Sequence, residues 1–402
     1  MSDVLTGVWA DLVGQEKAVG VLRRAAESQP GRSSHAMSHA WLITGPPGSG
    51  RSNAAKAFAA ALQCVDHGCG QCNACRTTLS GAHPDVTLVR TEALSIGVDE
   101  VRELVRRAAM NPVHGCHQVV VVEDADRITE RGADALLKAI EEPAPKTVWL
   151  LCAPTPEDVI VTIRSRCRRL HLATPRDEAV ADLLTRRDGI APEVAAEAAR
   201  AAQRHLGRAR RLAWDEAARA RRNASGELPT RLRSLGDCLQ AAEDLVNQAS
   251  EEAAAATAEV NAAERAELKK ALGFGSSGAR PRNAQAALRD LEKQQSARLK
   301  RLQRDALDRV LTELTAYHRD VLAIQTGAVR PEEENALRGA RLVNAGWSAS
   351  LHRIADSQSP EHTVATIDAI LAARKSLEHG VTPLLVMETL LIAMTGVDRA
   401  RW

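Results

Sequence analysis

AWLITGPPGSGRSNAAKAFAAAL, residues 40–62, runs from an apolar stretch of strand length through a glycine-rich loop into an Ala-rich helical stretch. A loop in that position turns its backbone N–H groups toward the start of the helix, where an anion is stabilised by the free donors and the helix dipole. Gly45, Gly48 and Gly50 supply the conformational freedom, and Ser52 is placed to reach a magnesium ion bound with a phosphate. The motif calls for Lys immediately before the hydroxyl residue, and Arg51 stands there instead. Arg is planar, longer and always charged, so the exchange is not conservative. Two readings stay open at this point: a site for ATP or ADP with magnesium, or a turn that packs the sheet and holds no nucleotide.

Working outward, DVTLVR, QVVVVEDA, TVWLLCA and RRLHLA repeat the strand-length apolar pattern as far as about residue 172, separated by helical stretches. The runs are β-branched and nearly continuous rather than alternating, as in a parallel sheet covered on both faces. Residues 1–172 are therefore predicted to form an α/β domain with a parallel sheet. Residues 173–222 hold Ala, Arg and Leu at helical spacing and are predicted as a small helical domain, which the resemblance described below makes the lid of a RecA-like domain. Residues 223–402 are predicted all-helical, with interruptions at Pro229, at GFGSSGARPR (273–282) and at Gly327 to Pro331. No Gly or Pro falls between Asn283 and Thr326. A helix of that length would extend about 65 Å. It is predicted to pair with the stretch from 237 to 272 as a projecting antiparallel hairpin, about 237–326, joined by the GFGSSG loop.

Composition narrows the function classes. The 402 residues carry 53 Lys plus Arg against 51 Asp plus Glu, a net charge of +2 that announces no nucleic-acid binder by itself. Aromatics make up only 2% of the chain, which argues against a surface built on stacked bases. No apolar run reaches the roughly 18 residues of a membrane span, and the first residues lack the basic and apolar regions of a secretion signal. A cytoplasmic protein with reduced cysteines is expected.

Two further segments carry chemistry. QVVVVEDADR (118–127) ends a strand in Glu123 and Asp124, with Asp126 beyond. A phosphate-loop ATPase needs an Asp for magnesium followed by a carboxylate that polarises the attacking water. Here the order is reversed, the longer Glu standing first, so hydrolysis at this chain's own loop is not expected. The bland alternative is a pair of acids that only ends a strand and caps a helix. Cys64, Cys69, Cys72 and Cys75 form C-x4-C-x2-C-x2-C, a spacing that brings four thiolates around one tetrahedral zinc in a closed, structural site. Iron–sulfur ligation is the competing use of four thiolates. Cys116, Cys152, Cys167 and Cys238 are scattered and are expected to pack.

The succession of GPPGSGRS, the cysteine cluster, ADALLKAIEEPAP (133–145) and TIRSRCRRL (162–170) resembles the bacterial DNA polymerase III clamp loader, an AAA+ assembly. The resemblance covers about residues 8–222 by motif and the remainder by architecture, with a C-terminal collar domain. Within that family the Arg-bearing loop and the EDAD segment look like the non-hydrolysing delta-prime member; a gamma/tau-like motor that turns over ATP at its own loop is the alternative. Ala153 stands where the family's motor subunits carry a polar sensor-1 residue. By resemblance, Ser165, Arg166 and Cys167 match the SRC motif, whose Arg is a finger offered in trans to ATP on a neighbouring subunit. Gly207 and Arg210 resemble the sensor-2 segment, whose Arg would touch nucleotide bound by its own subunit. The implied partners are gamma/tau and delta subunits, the sliding clamp and, through the assembly, primer-template DNA. The family's basic DNA-contact positions fall on Ser95 and Gly97, so no DNA-contact residue is assigned.

Overall fold

The computed structural model describes residues 5–28, 36–91, 95–272, 284–329 and 342–395. The chain divides into two compact units, Met1–Trp214 and Asp215–Trp402.

The first unit contains, in chain order, α1 (Glu16–Ala26), β1 (Ala40–Thr44), α2 (Arg51–Gln63), α3 (Asn73–Ser80), β2 (Val86–Val89), α4 (Val98–Ala108), β3 (Gln118–Val122), α5 (Glu130–Glu141), β4 (Thr147–Ala153), α6 (Val161–Arg164), β5 (Arg168–His171), α7 (Asp177–Asp188), α8 (Pro192–Ala201) and α9 (Leu206–Trp214). The five strands are parallel and ordered β2-β3-β4-β1-β5. β1, β3 and β4 are buried along their whole length, the reason their sequences read as continuous apolar runs. Alternate residues feed opposite layers. Trp41, Ile43, Val119, Val121 and Leu150 pack on one face with Phe58 of α2, while Leu42, Val120, Val122, Trp149 and Leu151 pack on the other with Leu136 and Ile140 of α5. Trp41 meets Phe58 edge-on with ring centroids 5.3 Å apart. The glycine loop leaves β1, the acidic pair leaves β3 and Ala153 ends β4 opposite Thr44, so all three reach the carboxyl edge of the sheet. Open α/β sheets bind ligands at that edge.

The second unit comprises α10 (Glu216–Arg231), α11 (Leu235–Ala271), α12 (Ala284–Gln325), α13 (Ser348–Ser357), α14 (Pro360–Glu378) and α15 (Pro383–Thr395). Its core gathers Leu307, Leu311, Leu314, Ile370, Met387 and Leu391, with a satellite around Tyr317, Val321 and Leu351. α11 and α12 run antiparallel, since Ser250 bonds Gln303 while Asn261 bonds Gln295 and Arg298. The small side chains of Ala249, Ala253 and Thr257 form the buried row of α11. The expected joining loop at 273–282 lies outside the described residues.

Two boundaries differ from the sequence expectation. The expected lid-to-collar boundary at 222 falls inside α10, which starts at 216 because Asp215 caps it by accepting from the Ala218 N–H. Pro229, expected to interrupt, lies within the last turn of the same helix. No helix among the described residues is long and apolar enough to cross a membrane.

Candidate functional site

The glycine loop has the backbone its sequence demands. Gly48 and Gly50 take φ of 85° and 91°, a region where an L side chain is strained. Gly50 is the residue from which α2 starts, so Arg51 and Ser52 occupy the first turn of that helix. The Arg51 guanidinium folds back: its Nη1 donates to the Gly45 carbonyl at 2.7 Å, the first residue of the same loop. Gly48 is closely approached by His205, in the turn between α8 and α9. A Cβ on Gly48 would come within 2.5 Å of the His205 Cα and 2.6 Å of its Cγ. That turn is sharpened by Gln203 and Arg204, both non-glycine residues with φ of 51° and 67°. Burial, followed by the charges of Arg208 and Arg51, lowers the pKa of His205 and keeps its ring neutral. Gln15 fastens the neighbouring chain, its amide donating to the Ala173 carbonyl at 2.6 Å and accepting from the Ala173 N–H at 3.1 Å.

The acidic segment meets α2 rather than an open space. Glu123, the residue in the magnesium position of the motif, pairs with Lys56 at 2.8 Å. Lys56 lies one turn beyond Ser52 on α2, and sequence reasoning gave it no role. Asp126 has its pKa raised by burial and by the neighbouring Asp124. Cys152, fully buried on β4, is pushed up to about 12 by burial and lies within electrostatic reach of Arg51, Glu123 and Asp124, which places those residues around one strand end. Arg210, which the sensor-2 resemblance aims at a nucleotide, is engaged by a carboxylate. It forks onto Asp188, the last residue of α7, at 2.8 and 2.9 Å, because that nearly buried carboxylate needs a counter-charge. His205, near the start of the same segment, makes the loop contact instead.

Arg166 occupies a different rim. It follows the single turn of α6 and precedes β5, with Ile163 and Cys167 on either side buried in the same core layer. Its Nη1 donates to the Thr162 carbonyl at 2.8 Å and to the Ser165 hydroxyl at 3.3 Å, and its Nη2 pairs with Glu141 at 2.5 Å. The side chain remains 40% exposed. Cys167 is pushed up to about 12 by burial, so it packs and offers no reactive thiolate.

The four cysteines converge where α2 ends and α3 begins. Their sulfurs lie within 4.8 Å of one another, with Cys64 3.6 Å from both Cys69 and Cys72. A zinc with Zn–S bonds of about 2.3 Å needs tetrahedral sulfurs roughly 3.8 Å apart, so the donor set fits that ion. Backbone N–H groups of Gly70, Cys72 and Cys75 each donate to a cysteine sulfur at 3.4 Å, yet with no cation among them burial and the neighbouring sulfurs still raise the Cys75 thiol, so full deprotonation of the set requires a metal's charge. Burial would raise the Cys64 thiol, but N–H donation from Cys69, Gly68 and Asp66 outweighs it and lowers the pKa to about 7. The module is tied to the sheet domain through the Val8 N–H, which donates to the Gly68 carbonyl, and through Cys64 and Cys75 in the core.

A parallel sheet of order 2-3-4-1-5 with a phosphate-type loop after β1 and acids after β3 is an α/β domain of the phosphate-loop type. Comparison with known proteins narrows this. Residues 14–176 match the family described as DNA polymerase III, delta subunit. The delta' subunit of DNA polymerase III from Haemophilus influenzae is 38% identical over 144 residues, 35% of this chain and 44% of the relative. Its Pseudomonas aeruginosa counterpart is 38% identical over 159 residues, 38% of this chain and 47% of the relative. The gamma/tau subunit of Mycobacterium tuberculosis is 35% identical over 175 residues, 42% of this chain and 29% of the relative. The similarity is thus to delta' and gamma/tau subunits of DNA polymerase III alike. This chain spans less than half the length of each of these relatives.

Proposed function

We propose that the chain is a delta-prime-type stator of a clamp loader: it does not hydrolyse ATP at its own loop and lends Arg166 in trans to ATP on an adjacent gamma/tau subunit. The observation that carries this reading is the internal engagement of the loop, with Arg51 on Gly45, His205 against Gly48 and Glu123 on Lys56. A working site would need that cation and that carboxylate to face phosphate and magnesium. Arg166, by contrast, stays half-exposed on a rim of the α/β unit. A guanidinium there would add positive charge where phosphoryl transfer spreads negative charge, with no covalent chemistry asked of this subunit.

In this reading the cysteine module holds one structural zinc, 1–172 acts as the AAA+ domain, 173–222 as a lid, and the C-terminal helices as a collar. The partners are gamma/tau and delta subunits in the cytoplasm, and sliding clamp and primed DNA are met through the assembly. The gamma/tau relatives at 35% identity favour one competing reading, a motor subunit that turns over its own ATP.

The test is ATP turnover by the purified chain and by loaders rebuilt with its variants. The stator reading expects no turnover by the chain alone and an impaired loader with Arg166→Ala. Steady turnover by the chain alone, abolished by Arg51→Ala, would establish the motor reading instead.

A further inference from the structure

Glu141 closes α5, at the end of a helix where a carboxylate faces the negative pole of the dipole. That placement is unfavourable on its own account. The cost is offset by Arg166, whose Nη2 lies 2.5 Å from the Glu141 carboxylate. The backbones beneath the pair are fixed. Ile140, beside Glu141, and Ile163 and Cys167, flanking Arg166, belong to one buried core layer. The guanidinium is thereby held along its Nη1–Nη2 edge by the Thr162 carbonyl, the Ser165 hydroxyl and Glu141, while the side chain stays 40% exposed.

We propose that Glu141 is the positioning residue of the arginine finger, fixing the direction of the Arg166 guanidinium before a neighbouring nucleotide is met. This inference rests on the reading of Arg166 as a finger. An Arg on a flexible stem otherwise loses rotamer freedom at the moment it engages phosphate. Five N–H donors in a rigid fork let one edge be held by Glu141 and Thr162 while the rest of the fork serves an anion. Glu141 itself touches no substrate.

The experiment compares loaders rebuilt with wild-type subunit, Arg166→Ala, Glu141→Ala, Glu141→Gln and the double variant Glu141→Ala/Arg166→Ala, reading kcat and KM for ATP with clamp and primed DNA present. Glu141→Ala should lower kcat by at least half of the fall that Arg166→Ala causes, with KM nearly unchanged. Glu141→Gln keeps an oxygen acceptor in the same place and should restore most of the loss. In the Arg166→Ala background the Glu141 substitution should add nothing, because a positioning residue acts only through what it positions. Unchanged urea midpoints for the single variants exclude a folding effect.

Three outcomes overturn the proposal: wild-type kcat with Glu141→Ala, a raised kcat that makes Glu141 a restraint, or an equal fall in the Arg166→Ala background. If Arg166→Ala itself leaves turnover at the wild-type level, the finger reading fails first and takes this inference with it. An impaired Arg166→Ala beside an unaffected Glu141→Ala rejects the positioning role alone.

Discussion

Two arginines on the same α/β unit are held in opposite ways. Arg51 starts the helix behind the glycine loop and turns inward onto the Gly45 carbonyl, spending its charge within its own loop. Arg166 stands on the rim beside β5, gripped by Thr162, Ser165 and Glu141 yet still exposed. A Lys at position 51 would carry a compact charge on a flexible stem, suited to reach out to a phosphate. The longer planar fork of Arg finds a backbone acceptor and closes on it. At position 166 that same planarity is useful, since a fork held by one edge keeps its direction. What separates the two regions is which acceptors surround the guanidinium.

The largest expected effect bears on the helix that carries Arg51 and leaves Arg166 aside. α2 has the glycine loop at one end and Cys64 just past the other, whereas Arg166 sits on a separate element. Cys72→Ser together with Cys75→Ser should remove all zinc, measured by metal analysis. Structural zinc sites contribute on the order of 10 kcal/mol of coupled folding free energy in small isolated modules, less where a larger core supports them. The melting temperature should fall clearly, with hydrogen exchange rising first in α2 and α3 and only later around Arg166. Unchanged zinc content would reject the four-cysteine site. Simultaneous loosening of α6 would show that the two regions are not independent.

Next in size is Arg166→Ala. Arginine fingers accelerate phosphoryl transfer by roughly 10³–10⁵ in well-studied enzymes. In a loader with several ATP sites, only the site bordering this subunit should lose its finger, so steady-state turnover should fall in part. Single-turnover measurement should isolate one slow site, whereas a uniform slowing of every site would point to assembly damage instead.

Much of this was legible in the sequence. Gln118–Val122 reads as a strand because both of its faces are buried, and the cysteine spacing specifies its own chelate without help from the rest of the fold. What was not legible depends on contacts between segments distant in sequence. Lys56 meets Glu123 and Glu141 meets Arg166 only because the sheet order brings those elements together. Arg210 has the expected spacing from Gly207, yet spacing says nothing of Asp188, whose nearly buried carboxylate captures it. The start of α10 turned on a single capping Asp, and Pro229 near its end did not break the helix. Periodicity reports which face of an element is apolar; it does not report which charged group lies closest.

A smaller effect belongs to the helical unit. His318 on α12 is 2% exposed, lies edge-on to Tyr317 at 5.5 Å, and neither ring nitrogen has a hydrogen-bond partner among the described residues. Burial, aided by His362, lowers its pKa to about 4 from 6.5. The unfolded chain therefore takes up a proton between those values that the folded unit refuses, and stability falls as pH drops through that window and levels off below it. At about 1.4 kcal/mol per pH unit, the loss approaches 3 kcal/mol by pH 4. Urea midpoints at pH 7 and pH 4.5 should show it for the transition reported by the C-terminal helices. His318→Leu should remove most of that pH dependence; an unchanged slope would mean that other groups control the acid response.

The smallest expected effect is that of Arg51→Ala, and its smallness is what tests the contrast between the two arginines. The substitution removes one hydrogen bond to a backbone carbonyl, worth about 0.5–1.5 kcal/mol net, and fold and assembly should survive that loss. If the loop does no chemistry, loader turnover should remain near wild type while Arg166→Ala in parallel is impaired. Arg51→Lys sharpens the point because it restores the residue type the phosphate motif calls for. Glu123 would still be paired with Lys56, and His205 would still lie against Gly48. The Lys variant should therefore gain no turnover of its own, checked with the purified chain over a range of ATP and magnesium. Should Arg51→Lys create turnover, the arginine was the main obstacle and the neighbouring contacts yield to nucleotide. Should Arg51→Ala impair the loader as much as Arg166→Ala does, the loop is a working site, the two arginines serve one kind of chemistry, and the motor reading replaces the stator.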